Sequence, residues 1–200
     1  MKDKIDNMGN ISFTETKELK NARLTAEGIL ESHQLMNAKE PIKIVSLANQ
    51  YGFPVIVSGK LGEFQGVIAY DESGKTKQLG TNHTKVIAVS KNLTLQEKRF
   101  VTAHELGHYI MDGRTRLKNY HGDTEQSFQT RRAEHGRSDY ENTIDYFAAC
   151  LLMPRVAVME ILSSFDDEKS DEEKAAYLSD VYNVGLEVAK RRITEVESIK

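Results

Sequence analysis

Apolar positions along this chain repeat with two different periods, and the change of period predicts where helices give way to strands. A helical period, with apolar residues at i, i+3, i+4 and i+7, marks both ends of the chain. The middle instead contains short runs rich in Val, Ile and aromatic residues, separated by glycines, as is typical of strands. Predicted helices cover residues 16–36, 41–52, 94–112, 140–152, 154–162, 171–182 and 186–198, and predicted strands cover 54–58, 64–70 and 85–90. We expect an α+β fold in which a small antiparallel sheet is packed on helices.

The helix that begins at Thr94 has clear boundary signals and an apolar face that contains histidines. Thr94 and Glu97 form a capping box, and Gly113 follows the last periodic residue, so we expect the helix to end there. His104 and His108 lie in the apolar stripe, whose other members are Phe100, Val101 and Met111. Both imidazoles are therefore expected to face the interior, where a polar ring needs a partner.

Residues 104–108 read H-E-x-x-H, a spacing that suits a zinc site on a helix. Residues four apart share one helical face, so His104 and His108 can bind the same Zn²⁺. Glu105 lies one position round the helix and can reach a water molecule on that metal as a general base. The alternative is a pair of ordinary helical histidines, but an i, i+4 pair with an adjacent glutamate favours the metal.

A catalytic zinc ion needs a third protein ligand, and we predict that it is Glu141. The predicted helix at 140–152 has an apolar stripe formed by Ile144, Phe147, Ala148 and Leu151. Glu141 and Asp145 border that stripe, and carboxylates that face a core are costly unless they are paired or bound to metal. Glu141 as a ligand and Asp145 as the acceptor of a histidine N–H would satisfy both.

Alternatives to this assignment are open on the sequence alone. Glu141 could complete a capping box with Ser138, although that would leave Asp145 unexplained. His121 or His135 could supply the third ligand instead of Glu141. A tyrosine or histidine from residues 114–140 could also stabilise an oxyanion.

The two motif-bearing segments together resemble the ImmA/IrrE family of zinc metallopeptidases. That family pairs an H-E-x-x-H helix with a later segment E-x-x-A-[ND]-x-F-A-x-x-L-L-M-P, and residues 141–154 read ENTIDYFAACLLMP. Ile144 stands where the family usually has a small alanine, which should alter packing near the site but leaves the ligand positions intact. The resemblance covers about residues 43–154, and the E-x-x-x-D spacing is also similar to that of thermolysin-like enzymes.

The resemblance implies a zincin-like metallopeptidase fold with one Zn²⁺ per chain, bound by His104, His108 and Glu141. It also implies that Glu105 is the catalytic base and that Asp145 supports a ligand histidine from behind. Members of the family cleave a partner transcriptional repressor, often encoded nearby on a mobile element or in a stress regulon. They often carry a helix-turn-helix unit after the peptidase core.

Composition and charge narrow the class of protein further. Hydrophobic residues make up 39% and charged residues 28%, which is enough for a globular core. The net charge of −3 provides no general basic field to attract nucleic acid. Cys150 is the only cysteine, so no internal disulfide can form. The chain shows neither an apolar run of membrane-spanning length nor a hydrophobic signal core, so we expect a cytoplasmic protein with no membrane partner.

By pattern, the chain divides into three predicted parts. Residues 1–40 form an N-terminal tail and helix, the first fifteen residues being polar and frayed. Residues 41–163 form the metallopeptidase core, which includes a long surface loop at 114–137. Residues 164–200 form a helix-turn-helix-like helical appendage. Its basic residues are interspersed with glutamates, so we favour a helical hairpin over a unit that binds DNA directly.

We predict a zinc-dependent endopeptidase that cleaves a partner transcriptional repressor at a specific site. The predicted strand at 85–90 is nearest in sequence to the zinc helix, and in zincin-like folds, which the resemblance implies, the strand that borders the cleft is a sheet edge. We therefore expect the substrate to add to this strand as an extended peptide. The alternative is a regulatory module that binds a repressor or DNA around a structural or vestigial zinc site. A structural site needs no general base, so the presence of Glu105 favours the enzyme.

Overall fold

The computed structural model describes residues 4–5, 11–70, 75–119, 139–166 and 169–199. Within these ranges the chain has an α+β architecture with seven α-helices, a three-stranded sheet and a separate pair of short strands. The helices are α1 (Lys17–Ser32), α2 (Ile44–Gln50), α3 (Leu95–Asn119), α4 (Asp139–Leu152), α5 (Arg155–Ser163), α6 (Asp171–Tyr182) and α7 (Leu186–Ser198). The strands are β1 (Lys4–Ile5), β2 (Ile11–Ser12), β3 (Val55–Ser58), β4 (Gly66–Tyr70) and β5 (Lys85–Ser90). Two compact units result, one of residues 43–145 and one of residues 1–42 with 146–200.

The three-stranded sheet of the 43–145 unit is mixed, so the predicted purely antiparallel sheet was wrong. The strand order is β3-β5-β4, and β5 is parallel to β3 but antiparallel to β4. Ile87 of β5 lies opposite both Val55 and Ile68. The prediction that β5 is a sheet edge was wrong for the same reason, because it has a partner strand on each side. The local pattern of apolar residues marks a strand but does not encode which strands pair with it.

Helix α3 begins where the capping box predicts and continues beyond the predicted stop. The Thr94 N–H donates to Glu97 Oε2 over 2.7 Å, and the Glu97 N–H donates to Thr94 Oγ1 over 3.2 Å. The helix runs through Gly113 to Asn119, so the first part of the predicted loop at 114–137 is helical instead. One glycine costs a helix only about 1 kcal/mol, and the Arg, Leu and Lys residues that follow it are good helix formers. Residues 120–137 lie outside the described residues.

Helices α4 and α5 meet at the predicted boundary, Pro154. Helix α4 ends at Leu152, and Pro154 is the N-cap residue of α5. Proline cannot donate the backbone hydrogen bond that would continue α4, so the chain turns there. The two helices are bent by 64° at this break. In the described part of the chain, no single helix is long and apolar enough to cross a membrane, and α4 and α5 reach that length and composition only as this bent pair.

Short local signals set the helix ends in the second unit. Thr16 caps α1 by accepting the Leu19 N–H on Oγ1 over 3.3 Å. Ser170 and Glu173 form a reciprocal capping box at the start of α6, and Asn183, with φ of 50°, ends that helix in the left-handed conformation. Within the first fifteen residues, which we expected to be frayed, β1 pairs with β2 in antiparallel fashion.

The basic residues of α7 are engaged in ion pairs within the second unit. Arg192 is fully buried, and its Nη1 lies 3.4 Å from Glu195 Oε2. Arg191 Nε lies 3.0 Å from the other oxygen of the same carboxylate, and Lys190 Nζ lies 3.4 Å from Glu172 Oε1. These three cations are therefore already engaged by carboxylates of the same unit, which argues against a phosphate-binding surface built from them. The division of the chain at residues 40/41 and 163/164 stays a prediction.

Candidate metal centre

Helix α3 brings the two histidines of the H-E-x-x-H motif together on one face. Nε2 of His104 lies 3.0 Å from Nε2 of His108, and the two rings meet nearly edge to face, with centroids 4.7 Å apart. Four residues make slightly more than one helical turn, so the second imidazole stands just above the first. The two side chains are only 15% and 20% exposed, so these nitrogen atoms meet in a partly buried position.

Glu141 adds a carboxylate to the histidine pair from the first turn of α4. Its Oε2 lies 3.3 Å from His104 Nε2 and 3.7 Å from His108 Nε2. A tetrahedral zinc ion with bonds of about 2.0–2.1 Å separates its ligand atoms by about 3.3–3.4 Å, so the three atoms are close to that spacing. Two imidazoles and a carboxylate are also a donor set of catalytic zinc sites. In the described part of the chain, this trio is the group of side chains that could hold a metal ion.

Asp145 contacts His104 on the side of the ring that faces away from Glu141. Its Oδ1 lies 2.8 Å from His104 Nδ1, and the carboxylate is only 4% exposed. Burial alone would lower the pKa of His104, but the hydrogen bonds to Asp145 and Glu141 and the charge of Glu105 raise that pKa to about 9. Metal binding at neutral pH would therefore displace a proton from this imidazole.

Tyr140 occupies the corresponding position behind His108, a contact that sequence analysis did not identify. The Tyr140 hydroxyl lies 3.3 Å from His108 Nδ1, and the two rings are tilted by 38° with centroids 5.7 Å apart. The sequence indicated this contact only through the place of Tyr140 in the chain. Tyr140 directly precedes Glu141 and so projects about 100° away from it around α4.

Glu105 lies against the first residue of β4, Gly66. A Cβ atom on Gly66 would come within 2.9 Å of Glu105 Oε1 and 3.1 Å of Glu105 Cγ, and it would also clash with Val101. The missing side chain at Gly66 therefore leaves the space in which the Glu105 carboxylate lies. Sequence analysis did not identify Gly66 as part of the site, although a glycine at a strand terminus often marks a close approach.

The structure thus brings the predicted metal ligands and Asp145 together, and it does not test the alternative assignments. The site is compatible with a metal ion held by His104, His108 and Glu141. Ser138, His121 and His135, which carried the alternative assignments, lie outside the described residues. The identity of the metal and the role of each residue stay predictions.

Comparison with known proteins identifies the family of this chain. Residues 67–194 match the IrrE N-terminal-like domain family, peptidase family M78. This range is well over half of the chain, so the chain belongs to that family of metallopeptidases, and the resemblance to ImmA/IrrE proteins is confirmed. The match begins in β4, includes α3 and α4, and extends through most of α7.

The search of solved structures adds support for the fold. A Mycobacterium tuberculosis transcriptional regulator superposes with a TM-score of 0.51 at 15% sequence identity, over 86% of this chain and 46% of that one. The chain therefore spans less than half the length of that regulator, and a likeness at this identity concerns the fold alone. No curated protein matches the sequence significantly.

Proposed function

We propose that this chain is a zinc-dependent endopeptidase. The observation that carries the proposal is the convergence of His104, His108 and Glu141 on one point, with their ligand atoms within 4.8 Å of one another. A zinc ion bound by these donors would lower the pKa of a water molecule to about 7 and polarise the scissile carbonyl group. Membership of a metallopeptidase family supports the same chemistry.

Glu105 is the general base of the proposed reaction. It accepts a proton from the attacking water as the new C–O bond forms, and it passes that proton to the leaving amine as the C–N bond breaks. Asp145 holds His104 by accepting the Nδ1–H, which directs Nε2 of that ring towards Glu141. The carboxylate of Glu105 and the metal-binding nitrogens come from one helical segment, so their separation is constrained by a rigid element.

The substrate is proposed to pair with β4, since β5 is the central strand. Among the described residues no strand covers the outer side of β4. The Ser90 N–H donates to Gln65 O, and Gly66 lies opposite Val89. Antiparallel pairing alternates, so the backbone N–H and C=O groups of Gly66 and Ile68 point away from β5. An extended peptide bound to these groups would cross the molecule next to Glu105, which Gly66 contacts.

We propose a transcriptional repressor as the substrate, as the family resemblance implies. Main-chain pairing with β4 makes little demand on side chains, so selectivity for one protein would have to come from surfaces outside this strand. The second candidate function is a regulatory module that binds a repressor or DNA without cleaving it. The ion pairs that already engage the basic residues of α7 disfavour DNA as the direct partner of that helix.

The decisive experiment exposes a proteome-derived peptide library to the zinc-loaded protein and identifies new N-termini by mass spectrometry. We expect cleavage by the wild-type protein, loss of cleavage with a chelator, and its return when zinc is restored. Glu105→Gln is the matched control, because it retains the metal donors and removes the base. New N-termini that appear equally with Glu105→Gln would point to a contaminating protease and would overturn the assignment.

A second experiment separates the enzyme from the regulatory module. Repressors encoded beside the gene for this chain are incubated with the wild-type protein and with Glu105→Gln, and both binding and cleavage are measured. We expect Glu105→Gln to bind the repressor and leave it intact, whereas the wild-type protein cleaves it at one site. Tight binding without cleavage by zinc-loaded wild-type protein would favour the module.

A further inference from the structure

Each of the two histidines has a hydrogen-bond partner on Nδ1, and these partners differ in charge. Asp145, a carboxylate, lies 2.8 Å from Nδ1 of His104. Tyr140, a neutral phenol, lies 3.3 Å from Nδ1 of His108. Both partners belong to α4, in which Tyr140 directly precedes Glu141 and Asp145 follows Glu141 by one turn. The first turns of one helix therefore contact both imidazoles at Nδ1 and also supply the carboxylate that lies near their Nε2 atoms.

A hydrogen bond at one nitrogen of an imidazole influences whether the other nitrogen of that ring can bind a metal. A neutral imidazole carries its proton on one nitrogen only, and the other nitrogen is then the ligand. The Nε2 atoms of His104 and His108 face each other and Glu141, so Nδ1 must carry the proton in the metal-binding form. A hydroxyl group can accept that proton or donate its own, and in the metal-binding form the Tyr140 oxygen accepts the Nδ1–H of His108 and so stabilises that tautomer.

We propose that Tyr140 is a positioning residue that holds His108 in the tautomer and orientation needed for metal binding. This inference rests on the proposed metal centre and adds a second supporting residue to it beside Asp145. The Tyr140 hydroxyl is engaged at Nδ1, on the far side of the ring from Nε2, which is a supporting position and not an oxyanion-binding one. The tilted packing of the two rings restricts rotation of the imidazole as well.

The contact also makes the two histidines unequal ligands. A carboxylate acceptor withdraws the Nδ1 proton more strongly than a phenol, so His104 is the more electron-rich donor of the pair. His108 depends on a weaker, neutral hydrogen bond that keeps less negative charge near the metal. The net charge of the three ligands and the two supporting residues is therefore −2, from Glu141 and Asp145, instead of the −3 that a second aspartate would produce.

Tyr140→Phe tests the inference because it removes the hydroxyl and keeps the ring. Competition with a chromophoric chelator should show zinc affinity weakened by about 10- to 100-fold, as is usual for residues that support a metal ligand. In the metal-free protein labelled with ¹⁵N-histidine, NMR should show that His108 loses its preference for the Nδ1–H tautomer. The melting temperature of metal-free Tyr140→Phe should match the wild type, which separates positioning from a general structural role.

Tyr109→Phe is the matched control. Tyr109 directly follows His108 in α3, but its ring packs on Phe53 and Tyr51, with centroids 4.7 Å and 6.5 Å away. The same loss of one hydroxyl at this position should change neither zinc affinity nor the His108 tautomer. An equal effect of both variants would show that a tyrosine hydroxyl near this helix matters only for packing.

The outcomes distinguish this inference from the proposed function. Unchanged zinc affinity and an unchanged His108 tautomer in Tyr140→Phe would overturn the role of Tyr140 while leaving the metal centre intact. Weaker zinc binding together with a lower melting temperature of the metal-free protein, but no tautomer change, would also overturn it. Failure of the wild-type protein to bind zinc would refute the proposed function, and the tautomer measurement would still decide whether Tyr140 orients His108.

Discussion

Replacing Gly66 with alanine should slow peptide hydrolysis and leave metal binding unchanged. The new Cβ atom would lie 2.9 Å from Glu105 Oε1 and 3.1 Å from Glu105 Cγ, and it would overlap the side chain of Val101. Non-bonded carbon contacts are comfortable at about 3.5–4.0 Å, so the Glu105 side chain must move by about 0.5–1 Å, and the tighter overlap with Val101 requires a larger shift between β4 and α3. Val101 is stiff, so relief of its overlap displaces the backbone of β4, whereas the Glu105 carboxylate lies at the end of a flexible side chain and moves aside.

The size of the effect follows from that displacement. A misplacement of about 1 Å in a catalytic group lowers the rate by about 100-fold, equivalent to about 2.7 kcal/mol of transition-state stabilisation. Overpacking of this kind also lowers the free energy of unfolding, by about 1–3 kcal/mol. The three atoms nearest to a Cβ at Gly66 belong to Val101 and Glu105 and not to a proposed metal ligand, so zinc affinity should remain at the wild-type value.

The assay compares kcat/KM on a fluorogenic peptide chosen from the library products with the zinc affinity measured by chelator competition. Gly28→Ala is the control, because an added Cβ at Gly28 in α1 meets no atom within 4 Å. It should leave the rate unchanged and stabilise the protein by up to about 1 kcal/mol through helix propensity. A wild-type rate in Gly66→Ala would refute the reasoning about Glu105, and a loss of zinc would show that the strain spreads to the ligands.

Three further predictions concern the metal centre. Glu105→Gln should retain one equivalent of zinc by metal analysis and lose peptidase activity, and loss of that zinc would contradict its role as a base. Glu141→Ala should lose zinc and the stabilisation that zinc gives to the folded state. Asp145→Ala should have the smaller effect and weaken zinc binding by about 10- to 100-fold. Full zinc occupancy in Glu141→Ala would contradict the assignment of Glu141 as a ligand. The pKa of His104 is raised from 6.5 to about 9, so its contribution to metal-free stability is complete below about pH 6.5 and is lost as the pH rises through 9. Urea unfolding of the metal-free protein should show this decline, and a flat profile over that range would contradict the strong pairing of His104 with Asp145.

The amino-acid sequence by itself determined the local elements of this protein. Helices α6 and α7 lie at the predicted residues, because their ends depend on signals within a few positions, such as the Ser170–Glu173 capping box. The shared face of His104 and His108 follows from a four-residue spacing, and it needs no information from the rest of the chain. Gly113 shows the limit of such signals, because the helix formers around it outweigh a permissive glycine.

Only the tertiary structure decided which elements meet. The pairing between strands places β5 at the centre of the sheet, and the local sequence pattern cannot specify that pairing. For this reason the strand proposed to bind the substrate is β4 and not β5. The approach of Gly66 to Glu105 and of Tyr140 to His108 likewise joins residues more than 30 positions apart. Asp145 could be assigned in advance because a buried carboxylate requires a partner, whereas a tyrosine hydroxyl or a glycine carries no such demand and reveals its role only through its neighbours.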